Sequence, residues 1–163
     1  MSELTRISLR LAEFDVRFVV VGGLAVMLHG SGLLTRDVDV ACDMSPPNLL
    51  RVWQALDGLH PVHRMTPGRL PFTREQAGAG GLRNLHLKTD IGQLDLLGEV
   101  AGVGGIDECL ARSVEITLDG RRVPILSLEA LIASKRAAGR PRDLHAVLEL
   151  EVIRERLAEG GTV

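Results

Sequence analysis

Strand-like and helix-like segments alternate along most of this chain. Residues 17–21 (RFVVV) form a β-branched run that ends at two glycines, and residues 37–42 (DVDVAC) alternate polar and apolar side chains as a half-buried strand does. Apolar residues at helical spacing precede the first run, and Pro46-Pro47 opens a helix after the second. This order predicts a mixed α/β sheet that is covered by helices.

The second half of the chain continues the alternation. Strands are predicted over 82–88 and 93–97, and an Asp119-Gly120 pair between two apolar runs predicts a hairpin. Ser127 then caps a helix that Gly139 ends, and a last helix follows. The segment 58–81 contains most of the Pro and Gly signals, so we expect it to be a mobile loop.

Length and composition narrow the classes of protein. The 163 residues fit one domain, 1–163, with a core over about 15–126 and C-terminal helices over about 127–158. The net charge of −2 and the four aromatic residues argue against a nucleic-acid-binding surface over the whole molecule. Two cysteines outside any paired motif, and no apolar stretch long enough to span a bilayer, favour a cytoplasmic protein without a membrane partner.

Three aspartates stand out in the predicted strands. Residues two apart in a strand point the same way, so Asp37 and Asp39 lie side by side on one face. Two carboxylates at so short a distance repel each other unless a cation lies between them. Mg²⁺ or Mn²⁺ binds carboxylates together with phosphate oxygens. Asp95 interrupts a later apolar strand. The alternative for all three is a solvated strand face with surface acids.

The order of these features resembles the DNA polymerase beta–like nucleotidyltransferase superfamily. That superfamily combines a hydrophobic residue, Gly-Gly or Gly-Ser, a spacer, an acid–hydrophobic–acid run and a third acid in a later strand. The sequence GGLAVMLHGSGLLTRDVDV matches this pattern with Gly22, Gly23, Asp37 and Asp39, and QLDLL matches it with Asp95. The resemblance implies a nucleotidyltransferase fold with a C-terminal helical cap.

A later segment, LSLEALIASKRAAGRPRDLHAVLEL, is similar to the minimal, AbiEii-like members of toxin–antitoxin and abortive-infection systems. Lys135, Arg140 and Asp143 occupy the places of a lysine, an arginine and an aspartate that those members carry. The resemblance implies a magnesium-dependent enzyme that moves a nucleoside monophosphate from an NTP, such as ATP, to a hydroxyl of tRNA or of a cognate toxin or antitoxin protein. An antibiotic-modifying enzyme and a non-catalytic binding module are the alternatives.

The resemblance also implies roles for single residues. Asp37, Asp39 and Asp95 would bind metal, and Asp95 would help to activate the attacking hydroxyl. Ser31 and Thr35 lie near the glycine-rich loop, where they are candidates for phosphate binding; turn formation is the alternative. The full set of predicted residues is catalytic Asp37, Asp39, Asp95, Lys135 and Asp143, and nucleotide-binding Gly22, Gly23, Ser31, Thr35 and Arg140.

Lys135 is unusual independently of the resemblance. Leu128, Leu131 and Ile132 form an inward-facing helical stripe, and Lys135 lies at position i+7 of the same stripe. Its ammonium group must either extend past the core to solvent or end beside a negative group, for which Asp143 is the candidate.

Basic residues cluster around the end of this helix. A phosphate backbone needs such a patch, so the cluster is the feature that favours an RNA acceptor. A helix junction exposed to water is the alternative. The cluster consists of Lys135, Arg136, Arg140 and Arg142.

Overall fold

The computed structural model describes residues 2–160, which form a mixed sheet and helices as predicted. The strands are β1 (Phe18–Val21), β2 (Asp37–Cys42), β3 (Val62–His63), β4 (Asn84–Thr89), β5 (Gly92–Leu97), β6 (Ser113–Leu118) and β7 (Arg121–Leu126). The helices are α1 (Glu3–Glu13), α2 (Gly22–Leu28), α3 (Pro46–Ala55), α4 (Arg74–Ala79), α5 (Ile106–Ala111), α6 (Leu128–Ala138) and α7 (Pro141–Ala158). The predicted domain, 1–163, includes Met1 and residues 161–163, which lie outside the described residues.

The strands of the described chain form one sheet in the order β3-β4-β5-β2-β1-β7-β6. The pairs β2–β5 and β1–β7 are parallel, and the other neighbours are antiparallel. The interior strand β1 is buried along its whole length, which explains its run of β-branched residues. The parallel pairing of β2 with β5 joins two strands that are distant in sequence, and both contain predicted site residues.

The helices pack in two groups. α1 contacts α3 and the strands β2, β5 and β7, and its stripe residues Ile7 and Leu11 are fully buried. α6 and α7 pack against each other, and α2 contacts α6. These C-terminal helices therefore form the cap that the sequence predicts. Within residues 2–160, we find no helix with the length and apolarity that a membrane crossing requires.

Local sequence signals fix the ends of several elements. The Ser127 hydroxyl accepts a hydrogen bond from the Ala130 amide at the start of α6, and Gly139 ends that helix in the left-handed conformation, with φ 67°. Asp119 and Gly120 both have positive φ, 49° and 78°, in the turn between β6 and β7. This is the geometry that a two-residue hairpin requires.

The prediction of a loop over 58–81 is wrong where β3 and α4 form. β3 pairs with β4 at the sheet edge, and a capping box between Thr73 and Gln76 begins α4. Phe72 and Ala77 are buried and hold the segment to the core. α2 begins at Gly22, directly after β1.

Candidate active site

The three predicted aspartates lie together on one face of the sheet. In β2 the fully buried Val38 and Val40 alternate with the half-buried Asp37 and Asp39. Asp39 is the direct cross-strand partner of Asp95 on β5. The parallel pairing thus brings the third acid beside the first two, as the motif order predicted.

The carboxyl of Asp39 is in an unfavourable environment for a negative charge. Burial raises the pKa of Asp39 to about 6, and repulsion from Asp95 and Asp37 adds to this effect, whereas the positive charge of Lys135 opposes it. A carboxylate with two acidic neighbours is stabilised by a cation. The Asp37–Asp39 pair therefore fits a hard divalent metal ion, which prefers oxygen ligands.

Asp95 also has partners on the side of β5 that is opposite to β2. The Oδ1 atom of Asp95 contacts Nη2 of Arg64 and lies 3.0 Å from Nδ1 of His86. Among residues 2–160, no three His, Cys, Asp or Glu side chains are arranged to hold a metal ion. Asp37 and Asp39 line the cleft as a pair, while the carboxylate of Asp95 contacts a guanidinium and an imidazole.

The sequence analysis missed both partners of Asp95. His86 lies in β4, where Asn84, His86 and Lys88 alternate with buried leucines, so the period of two could have placed its side chain on the polar face. Arg64 follows β3 in the segment that the Pro and Gly signals marked as a loop. Its position depends on the pairing of β3 with β4, for which the sequence of that segment gives no local signal.

The two glycines that begin α2 permit a close approach to the site. Gly22 has φ 62°, and a Cβ atom there would lie 2.4 Å from Oδ2 of Asp39. A Cβ atom on Gly23 would lie 2.8 Å from Oγ1 of Thr35. Neither position has room for a side chain, so Gly22 and Gly23 are needed to pack the turn against Asp39 and Thr35.

Thr35 and Ser31 differ in their relation to the site. Thr35 lines the cleft, and its hydroxyl bonds to the backbone of Asp37, 3.3 Å from the carbonyl oxygen and 3.4 Å from the amide nitrogen. The Ser31 hydroxyl accepts a hydrogen bond from the Leu33 amide, 3.0 Å away, within the loop. Turn formation therefore accounts for the hydroxyl of Ser31, while that of Thr35 lies at the cleft.

The C-terminal cap supplies an ionic cluster around a buried aspartate. Nζ of Lys135 lies 3.4 Å from Oδ1 of Asp143, and Nε of Arg140 donates to Oδ2 of Asp143 over 2.6 Å. The side chain of Asp143 is only 1% exposed. Burial acts to raise the pKa of Asp143, but the hydrogen bonds and charges of Arg140 and Lys135 outweigh it, and the pKa lies below its usual value. The ammonium of Lys135 thus ends beside Asp143.

An open cleft of about 380 Å³ lies between the sheet and the cap. Carboxylates from β2 face it from one side, and cationic side chains from α6 and the start of α7 face it from the other. Its lining comprises Gly23, Val26, Leu33, Leu34, Thr35, Asp37, Asp39, Lys135, Arg140, Arg142, Asp143, His145 and Ala146. This combination can hold a metal ion and a polyphosphate chain at the same time.

The basic cluster at the helix junction is largely neutralised within the chain. Lys135 and Arg140 pair with Asp143, and Arg136 pairs with Glu151 of α7. Arg142 is exposed at the cleft. Three of the four side chains that the sequence suggested for RNA binding are therefore engaged in intramolecular ion pairs.

Solved structures with the same architecture identify the fold. The lincosamide antibiotic adenylyltransferase LnuA, solved with lincomycin bound, superposes with a TM-score of 0.60 over 93% of this chain and 96% of that chain, at 19% sequence identity. A Thermotoga maritima protein provisionally assigned as a nucleotidyltransferase superposes with a TM-score of 0.51 over 96% of this chain and 91% of that chain, at 18% identity. The chain has a nucleotidyltransferase fold.

The nucleotidyltransferase fold is recognised here by structure and not by sequence similarity. No protein-family model matches the chain, and no curated protein matches it. Identities of 19% and 18% establish the architecture but not the substrate. The chemistry must therefore be argued from the side chains around the cleft.

Proposed function

We propose that this protein is a nucleotidyltransferase that moves a nucleoside monophosphate from an NTP to an acceptor hydroxyl and releases pyrophosphate. The observation that carries the proposal is the cleft itself. Asp37 and Asp39 face it from the sheet, and Lys135 and Arg140 line it from the cap. A metal-bound triphosphate carries a metal cation and phosphate anions. The paired carboxylates would bind the cation, and the paired cationic side chains would bind the phosphates.

Asp37 and Asp39 would hold the divalent metal, Mg²⁺ or Mn²⁺, and Asp95 would share it. When bound, the metal supplies positive charge that stabilises the phosphate oxygens in the transition state. The acceptor oxygen forms a bond to the α-phosphorus, and the bond from that phosphorus to the pyrophosphate oxygen breaks. Asp95 accepts the proton of the attacking hydroxyl, so charge and atoms balance.

The other lining residues would position the nucleotide. Lys135 and Arg140 are placed to neutralise the triphosphate and the departing pyrophosphate, with Asp143 holding both cations in place. The hydroxyl of Thr35 lies at the cleft, where it would donate a hydrogen bond to a phosphate oxygen. Gly22 and Gly23 would place backbone N–H groups on the phosphates, and Ser31 would act through the shape of the loop.

We assign the acceptor hydroxyl to a macromolecule in the cytoplasm, as in a toxin–antitoxin or abortive-infection system. The rim of the cleft supports this assignment, because Leu34 is 92% exposed and Arg142 and His145 are exposed beside it. Such a rim suits contact with a large partner. Since Lys135, Arg136 and Arg140 are already paired, a partner protein is favoured over tRNA.

A small hydroxyl-bearing antibiotic is the second candidate acceptor. The fold likeness to the lincosamide antibiotic adenylyltransferase LnuA favours it. The cleft volume of about 380 Å³ also falls within the range of small-molecule sites. Both candidates use the same acids and cations, so they differ in the acceptor alone.

The test is transfer of label from α-phosphate-labelled NTPs with Mg²⁺. The acceptors offered are the product of the adjacent gene, total tRNA, a lincosamide and an aminoglycoside, and Asp37→Asn is the inactive control. We expect label in the protein partner rather than in tRNA, and none with the control. Label in an antibiotic alone would assign the small-molecule acceptor. Label in no acceptor, together with no NTP binding, would contradict the proposed activity.

A further inference from the structure

Four polar side chains form a row across neighbouring strands, starting at the proposed metal site. Asp39 on β2 is opposite Asp95 on β5, and Asp95 is opposite His86 on β4. The pairing of β3 with β4 continues one residue further, where the Arg64 amide donates to the His86 carbonyl over 2.9 Å. The row Asp39–Asp95–His86–Arg64 therefore extends the site away from the cap.

Within the row, one oxygen of Asp95 is shared by two donors. Nη2 of Arg64 and Nδ1 of His86 both contact Oδ1 of Asp95. A guanidinium is always charged. The side chains of Arg64 and Asp95 are 22% and 14% exposed, so solvent screens their attraction weakly. Arg64 is thus the permanent counter-ion of the third acid.

The guanidinium of Arg64 is not fully satisfied where it lies. Its Nε atom is buried and makes no hydrogen bond to any of the described residues. A buried donor without a partner is unfavourable, so this position of the side chain is less stable than a fully bonded one. Release of Asp95 would therefore not break a complete hydrogen-bond network around Arg64.

We propose that Arg64 competes with the divalent metal for the carboxylate of Asp95 and thereby limits metal binding in the absence of nucleotide. The inference deepens the proposed function, because it rests on the metal site of Asp37, Asp39 and Asp95. It accounts for the arrangement in which Asp37 and Asp39 face the cleft while Asp95 is paired with Arg64. An NTP brings phosphate ligands and favours the exchange, which couples metal binding to nucleotide binding.

The test measures Mn²⁺ binding by electron paramagnetic resonance at one fixed pH. Arg64→Gln removes the charge, and Arg64→Met removes it while keeping an aliphatic stem. Two variants serve as controls. Arg64→Lys keeps the positive charge, and Arg83→Gln removes a positive charge from an exposed residue just before β4. Each protein is titrated alone and with a non-hydrolysable NTP analogue.

Without nucleotide, we expect Arg64→Gln and Arg64→Met to bind Mn²⁺ about tenfold more tightly than wild type. Arg64→Lys and Arg83→Gln should resemble wild type. Equal or weaker binding by both charge-removing variants would overturn the inference, while nucleotide-dependent Mn²⁺ binding by wild type would leave the proposed function standing. If no protein binds Mn²⁺ even with the analogue, the metal site and the inference both fall.

A second measurement needs no substitution. The side-chain Nε–H signal of Arg64 in the nuclear magnetic resonance spectrum of the isotope-labelled wild-type protein reports the surroundings of the guanidinium. We expect this signal to shift when Mg²⁺ and the NTP analogue are added together, because Arg64 leaves Asp95. A signal that stays in place under saturating Mg²⁺ and analogue would overturn the inference, whatever the stability of the variants.

Discussion

Lys135 illustrates how a single residue can violate a helical pattern for a reason outside the helix. It shares its stripe with the buried Leu131 and Ile132, yet its side chain is 17% exposed and reaches the Asp143 carboxylate. It also lies near enough to Asp39 for its positive charge to oppose the rise in the pKa of that acid. A charge with partners on both sides of the cleft is placed to bind a polyphosphate.

We predict that Lys135→Met lowers the rate of nucleotide transfer by about 10² or more, since one cation is lost from the transition state. The free energy of unfolding should change by less than about 1 kcal/mol, because Arg140 still pairs with Asp143. The matched control is Arg136→Met, which removes the next cation of α6 and its pair with Glu151 but no group of the cleft. Rates from label transfer and urea unfolding provide the two readouts.

Normal turnover by Lys135→Met would remove Lys135 and Asp143 from the list of site residues. The role of the three aspartates would be unaffected, because their arrangement does not depend on the lysine.

At the scale of elements, Asp143 joins the two helices of the cap. Its carboxylate accepts from the Arg140 amide over 3.3 Å at the start of α7 and from Lys135 of α6. The buried carboxylate of Asp143 thus caps the start of α7 and pairs with a lysine of α6. This side chain therefore links α6 to α7 at the lining of the cleft.

We predict that Asp143→Asn lowers the free energy of unfolding by about 3 kcal/mol, because it leaves the largely buried ammonium of Lys135 without this counter-charge. The pKa of Asp143 is lowered in the fold, so its contribution is present above the unfolded pKa and is lost as pH falls through the folded pKa. The variant should therefore lose less stability than wild type between about pH 7 and pH 3.

Urea unfolding at several pH values provides this comparison. Glu155→Gln, which neutralises an exposed acid on the same helix, is the control and should follow wild type. If Asp143→Asn also followed wild type at every pH, the account of the helix junction would be wrong.

The elements that the sequence predicted well are those with local boundaries. Ser127 and Gly139 bound α6, and the Asp119-Gly120 turn fixes the register of β6 and β7. These signals act over a few residues, so no knowledge of the fold is needed to use them.

The elements that the sequence missed depend on distant partners. β3 is two residues long and exists because it pairs with β4 and packs beside Phe72. Its own residues have no strand periodicity, and the surrounding prolines and glycines indicate a loop. Arg64 was missed for the same reason, since its contact with Asp95 requires the sheet order.

For the whole molecule, the candidate site depends on topology. The insertion of β5 beside β2 brings Asp95 next to Asp39, and the return of α6 and α7 brings Lys135 and Arg140 over the same cleft. The order of motifs along the sequence predicted these residues as a set. Their spatial convergence now supports the set, while the roles of the individual residues remain predictions.

The most direct test of the central claim is calorimetric titration with Mg²⁺ and a non-hydrolysable NTP analogue. Wild type should bind the analogue in a metal-dependent manner. Asp37→Asn and Asp39→Asn should bind it at least about tenfold more weakly, a loss of about 1.4 kcal/mol. Asp43→Asn is the matched control, because Asp43 follows the other end of β2 and pairs with Arg17. Equal binding by wild type and both site variants would contradict the account.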